Sequence, residues 1–229
     1  MPESCGFGVV SLIPALGDRC RYHASDHPLR TNTMRTANPE IERPTHSQIR
    51  TMWETLDVQQ AVDFHPEVLT YLDAVRSTHV NGGALLYCFR IGEDFCFDWF
   101  AARNRLPEIF YAFLNLPTVL NAAPELLADA TDPEVSQKWG MPFVLEGELT
   151  ATLVSGGAYE KFVGTACEAK ALAKDFCSAV FANRYDDVEI YSTCKPWSSW
   201  FFDVAWDGTY AILDKRNRQL WLLAITDMD

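Results

Sequence analysis

The sequence lacks the short motifs that identify many enzymes and cofactor-binding proteins. It contains no G-x-S-x-G nucleophile elbow, no G-x-G-x-x-G dinucleotide loop and no G-x-x-x-x-G-K-[ST] phosphate loop. Histidine, the side chain used most often as a general base, is absent after His79. We therefore expect neither a catalytic residue of a familiar class nor a bound cofactor.

The cysteines lack the spacing of a metal site or of a disulfide framework. There are seven of them, an odd number, and no two form a C-x-x-C pair. Such a pattern is typical of reduced thiols in the cytosol. We therefore expect no metal, and we expect free thiols at Cys5, Cys20, Cys88, Cys96, Cys167, Cys177 and Cys194.

Positive charge is scarce. The chain has 19 Lys and Arg against 31 Asp and Glu, which gives a formal charge of −12 and a pI of about 4.8. A negative protein repels nucleic-acid phosphates and anionic lipid, whereas it attracts a basic partner. No apolar run reaches the roughly 18 residues of a membrane helix. We expect a cytoplasmic protein that binds neither nucleic acid nor membrane.

The N-terminal stretch does not qualify as a signal peptide. The apolar run CGFGVVSLIPALG is interrupted by Pro14, and the acidic Glu3 stands where a signal peptide has basic residues. Polar residues follow with little apolar periodicity. We predict a flexible arm over residues 1–43, with Met34 as an alternative start, followed by a single domain over residues 44–229.

Several stretches predict helices. Thr45 and Gln48 form the T-x-x-Q pattern of a capping box, which predicts that a helix begins there. Pro66 and Pro107 are suited to the first position of two further helices. Apolar residues at three- and four-residue intervals predict the longest helix over residues 159–181.

Other stretches predict strands. Residues 84–100 are rich in aromatic and β-branched side chains and predict a hairpin around Gly92. Residues 145–153 alternate between apolar and polar, the pattern of a strand with one solvated face. The last strand, LWLLAIT, is apolar on both faces and should be central. The blocks indicate an α+β fold, with a largely antiparallel sheet of about six strands packed against a long helix and with N-terminal helices.

The C-terminal block combines aromatic and acidic residues. Alternation from Trp200 to Trp206 predicts a strand, and Asp207-Gly208 predicts a two-residue hairpin turn after it. The chain then ends with Asp227 and Asp229, which we expect to be solvated where the last strand leaves the core.

One resemblance can be stated for the C-terminal 90 residues. The segments GGAYEKF, FANRYDDVEIY, PWSSWFFDVAWDGTYAILD and LLAITDMD resemble immunity proteins of bacterial polymorphic-toxin systems, of the type paired with restriction-endonuclease-fold toxins. The resemblance implies an α+β fold without enzymatic activity that binds one toxin tightly. It carries no catalytic residues to this chain.

These features favour a non-catalytic protein that neutralises a basic toxin, with a nuclease as the favoured kind. Acidic side chains would complement the cationic surface of the toxin, and tryptophans would supply buried anchors. The candidate contact residues are Glu146, Glu148, Trp197, Trp200, Asp203, Asp207, Asp227 and Asp229.

A hydrolase or transferase is the alternative. The length is sufficient for an enzyme, and an unfamiliar site could be built from Asp94, Asp98, Glu146 or Cys194 around a cleft in the sheet.

Overall fold

The computed structural model describes residues 34–127, 132–137 and 141–229, all within one compact unit. Residues 34–43, which the sequence assigned to the arm, pack against the rest of this unit. Met34 is fully buried. The Arg35 Nε lies 2.5 Å from Asp187 Oδ1, and the Trp99 indole donates to the carbonyl of Ile41. The rest of the predicted arm, residues 1–33, lies outside the described residues.

The described residues form seven α-helices and six strands. The helices are α1 (His46–Thr55), α2 (Pro66–Thr78), α3 (Phe95–Ala102), α4 (Pro107–Leu114), α5 (Pro117–Ala122), α6 (Met141–Ser155) and α7 (Ala166–Phe181). The strands are β1 (Val58–Ala61), β2 (Gly83–Ile91), β3 (Ser136–Gln137), β4 (Val188–Thr193), β5 (Gly208–Asp214) and β6 (Gln219–Thr226).

The six strands form one antiparallel sheet in the order β1-β2-β6-β5-β4-β3. Strand β6 is central, as its apolar sequence predicts, and in the register Leu223 lies between Leu86 of β2 and Tyr210 of β5. The prediction of an α+β fold with an antiparallel sheet of about six strands is confirmed.

Helices cover both faces of the sheet. Alternate residues of each central strand point to opposite faces, so that Leu222 joins a core with α1, α3, α4 and α5, while Leu223 joins a second core with α2, α6 and α7. The sequence predicts one covering helix, α7, and α6 packs beside it. The sheet is therefore the middle of three layers.

Two helix starts agree with their sequence signals. The Thr45 hydroxyl accepts from the amide of Gln48, and the Gln48 side chain accepts from the amide of Thr45, so the predicted capping box is formed. Pro66 is the first residue of α2, where its missing amide hydrogen leaves no intrahelical bond unmade.

The predicted hairpin over residues 84–100 is wrong in its second half. Its first half is β2, but its second half is helix α3, which begins after Asp94. The Asp94 carboxylate accepts from the amides of Cys96 and Phe97, which is how an N-cap aspartate stabilises a helix start. Aromatic residues favour strands, but here burial around most of the helix circumference explains them.

The predicted strand over residues 145–153 is also wrong, because the segment is helix α6. Leu145, Leu149 and Leu153 are all fully buried and four residues apart, so they share one helical face. Residues spaced by four also fit the two-residue period of a strand, so the alternation does not separate a strand from a helix. The restriction of leucine to every fourth position is the feature that indicates the buried face of a helix.

Helix α7 begins later than predicted, at Ala166. The start is fixed by a second capping box, in which Thr165 and Glu168 bond reciprocally. Residues 159–165 are a loop instead of the first turns of the helix.

The predicted strand from Trp200 to Trp206 is wrong as well, because residues 194–207 form a loop with turns before β5. Trp197 is fully buried, and its indole donates to Thr209 Oγ1 at 2.9 Å. This anchor holds the loop against the sheet. Asp207-Gly208 is not a hairpin turn: Gly208 starts β5, and the hairpin to β6 is made by residues 215–218.

A buried carboxylate closes the end of β6. Asp227 is fully buried, and its oxygens accept from the amides of Asn81 at 2.8 Å and Ala158 at 2.7 Å. A Cβ on Gly157 would lie 2.2 Å from both Asp227 Oδ2 and the carbonyl oxygen of Thr78. We use the name Asp227 clamp for the Asp227 carboxylate and the amides of Asn81 and Ala158 from which it accepts. This arrangement requires glycine at 157.

Two glycine substitutions should have opposite effects on stability. Gly157→Ala should lower the free energy of unfolding by about 1–3 kcal/mol, because the new methyl group displaces the clamp. Gly147→Ala in α6 meets no atom within 4 Å and should raise it by roughly 0.5–1 kcal/mol. Urea unfolding measures both. Equal effects would contradict the role of Gly157.

Candidate functional site

Helix α6 carries an apolar face that points to solvent. Phe143 is 70% exposed, Val144 47% and Val154 48%, and Gly147 and Ala151 are exposed between them. Because each helical residue is rotated by about 100° from the one before, these five residues share the side opposite the buried leucines. We call them the α6 outer face.

An outer face without charged residues is unusual for a surface helix. A helix that is apolar on all sides is normally buried, whereas a surface helix has a polar outer side. At the N-terminal end the ring of Phe143 stacks on Tyr185 with a centroid distance of 4.9 Å, which fixes its position. The α6 outer face is therefore an ordered apolar surface of the kind used for contacts with another protein.

The two glutamates of α6 flank this face on opposite sides. Glu146 lies toward α7, where its charge, second to burial, contributes to the raised pKa of Cys177. Glu148 lies on the other side and lines a cleft. The prediction that the two share one solvated strand face is wrong, because in a helix they point in different directions.

The cleft has a volume of about 350 Å³ and lies between α6 and the start of β5. Helix α6 forms one wall, the loop before β5 forms the other, and the ends of α2 and β6 close the bottom. The side chains that line the cleft include those of Glu148, Thr152, His79, Cys194, Trp206 and Tyr210.

His79 lies at the end of α2 and is only 3% exposed. Its Nδ1 is 3.2 Å from the carbonyl oxygen of Val75 and 2.8 Å from Thr78 Oγ1. A carbonyl can only accept, and the Thr78 hydroxyl itself donates to Val75, so Nδ1 carries the hydrogen. Nε2 takes part in none of the hydrogen bonds that the described residues make.

The charge state of His79 follows from its surroundings. Burial lowers the pKa of His79 below its usual 6.5. The hydrogen bond to Val75 and the charge of Asp227 act in the opposite direction, and nearby Lys161 adds to the lowering. His79 is therefore neutral at pH 7, and its Nε2 presents a lone pair on the side of the ring away from Val75.

Tyr210 and Glu148 form a pair in the cleft. Burial raises the pKa of Tyr210 above its usual value, with a further contribution from the charge of Glu148. The phenol is therefore protonated and hydrogen-bonded to the Glu148 side chain. A carboxylate has room for more than one donor, so Glu148 can accept from a ligand while it holds Tyr210.

Asp207 has a structural role, although it lines the same cleft. It is buried, and its Oδ1 accepts from the Thr226 hydroxyl at 2.5 Å. Its Oδ2 accepts from the amide of Val204 at 3.2 Å. Asp207 thereby ties the loop before β5 to the end of β6, and both oxygens are engaged.

The predicted contact residues do not form one surface. Trp197 and Asp227 are fully buried, and Asp207 is buried at the wall of the cleft; the polar groups of all three are engaged within the fold. Asp227 is not solvated as predicted. Trp200 is half-buried against Phe201, whereas the remaining predicted residues, Asp203 and Asp229, are exposed.

The constellation proposed for an enzyme is not brought together. Asp94 caps α3, and buried Asp98 pairs with Arg218 at 2.8 Å, at the turn that begins β6. Cys194 lines the cleft beside Ile225, near the opposite end of β6. The two ends are roughly 20 Å apart at the rise of a strand, so Asp98 and Cys194 do not belong to one site.

Thiol reactivity separates the described cysteines into two groups. Burial raises the pKa of Cys88 and Cys177 to about 12 and that of Cys96 to about 11, so these three are inert thiols. Cys167 and Cys194 are exposed. Over the described ranges, no group of three or more His, Cys, Asp and Glu side chains is placed to hold a metal ion.

The α6 outer face was missed because α6 was interpreted as a strand. The signal for it is present: the four-residue spacing of the leucines fixes the buried side, and the rotation of about 100° per residue then places Phe143, Val144, Gly147, Ala151 and Val154 on the opposite side. His79 is the residue that follows α2. Its place in the cleft follows from the pairing of β2 with β6, which the sequence does not specify.

No family model matches the chain, and no curated protein matches it. Within the part of the chain that the structure describes, no helix has the length and apolar character needed to cross a membrane.

Asp227 and Asp229 should differ when each is changed to Asn. The side-chain amide introduced by Asp227→Asn would turn its NH₂ group toward a backbone N–H, so this variant should lower the free energy of unfolding by about 1–3 kcal/mol. Asp229 is exposed, and Asp229→Asn should change stability by less than about 0.5 kcal/mol. Chemical denaturation tests this. An unchanged free energy of unfolding in Asp227→Asn would contradict the stabilising role of the Asp227 carboxylate.

Stability should decrease toward acidic pH because of His79. The unfolded chain binds a proton at about pH 6.5, but folded His79 binds it only at lower pH. Its contribution is therefore complete above pH 6.5 and is lost as pH falls from 6.5 to the folded pKa, with a slope of at most about 1.4 kcal/mol per unit.

Urea unfolding between pH 5 and pH 8 measures that slope. His79→Asn should flatten it relative to the wild type, whereas His46→Asn, at an exposed histidine, should leave it unchanged. An unchanged slope in His79→Asn would contradict the assignment.

Proposed function

We propose that this protein is a non-catalytic immunity-type protein that binds a cognate basic toxin of the nuclease kind and neutralises it. The observation that carries the proposal is the α6 outer face. Five apolar or small residues lie together on an ordered helix, on the side opposite the core. A partner with a complementary apolar surface would remove them from water, at about 25 cal/mol for each Å² buried.

The charges around this face favour a basic partner. Glu146 and Glu148 border the α6 outer face, and the exposed Asp203 belongs to the loop that forms the opposite wall of the cleft. The formal charge of −12 acts at longer range. Complementary charge speeds encounter with a cationic nuclease and discriminates against acidic proteins. Apolar contacts at the centre and acidic groups at the rim match the usual plan of a protein interface.

Neutralisation then follows from occlusion. A nuclease toxin uses a cationic surface to bind DNA, and an acidic protein that covers that surface competes with the phosphates. No reaction is required of the immunity protein.

If the gene immediately upstream encodes a basic toxin, the test is protection of cells that express this toxin. Wild-type protein should restore growth. The double variant Val144→Lys/Val154→Lys should not, because two cations on the α6 outer face oppose both burial and a basic partner. Affinity for the purified toxin should fall at least tenfold, which corresponds to about 1.4 kcal/mol.

Val62→Lys is the matched control, because Val62 is 70% exposed and lies outside α6. It should protect as well as the wild type. Circular dichroism should give the same spectrum for all three proteins. Equal protection by the double variant, or no protection by the wild type, would refute the proposal.

A further inference from the structure

The cleft beside α6 is distinct from the α6 outer face and has a chemistry of its own. Ala151 belongs to both surfaces, so the cleft opens directly next to the outer face. A partner that covers α6 can therefore reach into the cleft with a side chain.

The groups that face the cleft are mainly hydrogen-bond acceptors. Nε2 of the buried, neutral His79 presents a lone pair that none of the described residues engages, and the Glu148 carboxylate is negative. Two of the hydroxyl groups in the lining are engaged: Tyr210 is paired with Glu148, and the Thr152 hydroxyl donates to the carbonyl of Glu148. The Ser155 hydroxyl and the Trp206 indole N–H are further side-chain donors of the lining, and neither carries a charge. An anion would meet lone pairs and negative charge here, whereas a cation with several N–H donors would be satisfied.

The apolar part of the lining suits the stem of such a cation. Trp206, Ile225 and the methyl groups of Ala151 and Ala205 line the cleft with the polar groups. An indole ring attracts a cation over its face, and methylene groups pack well on alanine and isoleucine. The volume of about 350 Å³ is at the small end for ligand sites. It therefore fits one extended side chain.

The cationic group at the rim of the cleft does not fill it. The Lys161 ammonium donates to the carbonyl oxygen of Ser155 at 2.6 Å. Ser155 lines the cleft, but Lys161 does not. Its positive charge also acts on His79, whose pKa it helps to lower, so a cationic ligand gains most by placing its charge against Glu148.

We propose that this cleft binds the alkylguanidinium or alkylammonium group of an Arg or Lys side chain, presented by the partner that covers the α6 outer face. The inference rests on the proposed function for the source of the side chain. Glu148 accepts the charged hydrogen bond, His79 Nε2 accepts a second N–H, and Trp206 packs on the cation. The cleft is thus the specificity pocket of the interface.

The cleft can be tested without the toxin. Titration of the full chain with butylguanidinium, followed by calorimetry, should show saturable binding, and the neutral isostere butylurea should not bind. Glu148→Gln should weaken binding at least tenfold, and Trp206→Leu should weaken it as well. Glu146→Gln, on the same helix but outside the cleft, should have no effect. Absence of binding, or equal effects of the two Glu→Gln variants, would overturn the proposal.

Binding experiments with the purified toxin distinguish the cleft proposal from the proposed function. Butylguanidinium should compete with the purified toxin, and Glu148→Gln should weaken toxin binding more than Glu146→Gln. If the cation binds in a manner that depends on Glu148 but the toxin does not bind, the proposed function fails and the cleft stands. If both bind without competition, the partner's side chain does not occupy the cleft, and this proposal is overturned while the proposed function survives.

Discussion

Strand β6 is hydrogen-bonded to a neighbour on each side and buried on both faces. Its register with β2 and β5 determines which residues enter the two cores, because a shift by one residue would exchange the faces. Both helical layers depend on this alternation. The ends of β6 are fixed as well, by Arg218 and Asp98 at its start and by Asp227 after its last residue. The cleft lies at that second end, where Ile225 of β6 is part of its lining.

The buried carboxylates explain how an acidic protein keeps these ends together. Asp207 and Asp227 each use both oxygens to accept from donors of the fold, so part of the negative charge organises the interior. The same is true of Asp214, which is fully buried and pairs with Arg184 at 2.7 Å. The net charge of the chain is therefore larger than the charge that is available to the proposed partner. Under the proposed function, Glu148 and Asp229 contribute to the available charge, whereas Asp227 does not.

Sequence reasoning was sufficient where a signal had one structural meaning. The capping pattern at Thr45, the apolar β6 and the fold class are confirmed. It failed where two periods coincide, as in α6, and where aromatic residues filled a helix buried on most sides, as in α3. The candidate site was predicted only in part: Glu148 and Cys194 line the cleft, but His79 enters it through pairing between distant strands, and pairing of that kind is not encoded locally.

The edge strands of the sheet have a consequence for how this protein can evolve. Among the described residues the two edge strands are short, with four residues in β1 and two in β3, so each offers few backbone groups of its own to an incoming strand. The proposed recognition depends instead on side chains, and those of the α6 outer face belong to neither core. Those positions are free to vary without loss of folding. A new partner could be acquired by substitutions along one helix, while β6 and its two cores remain as they are.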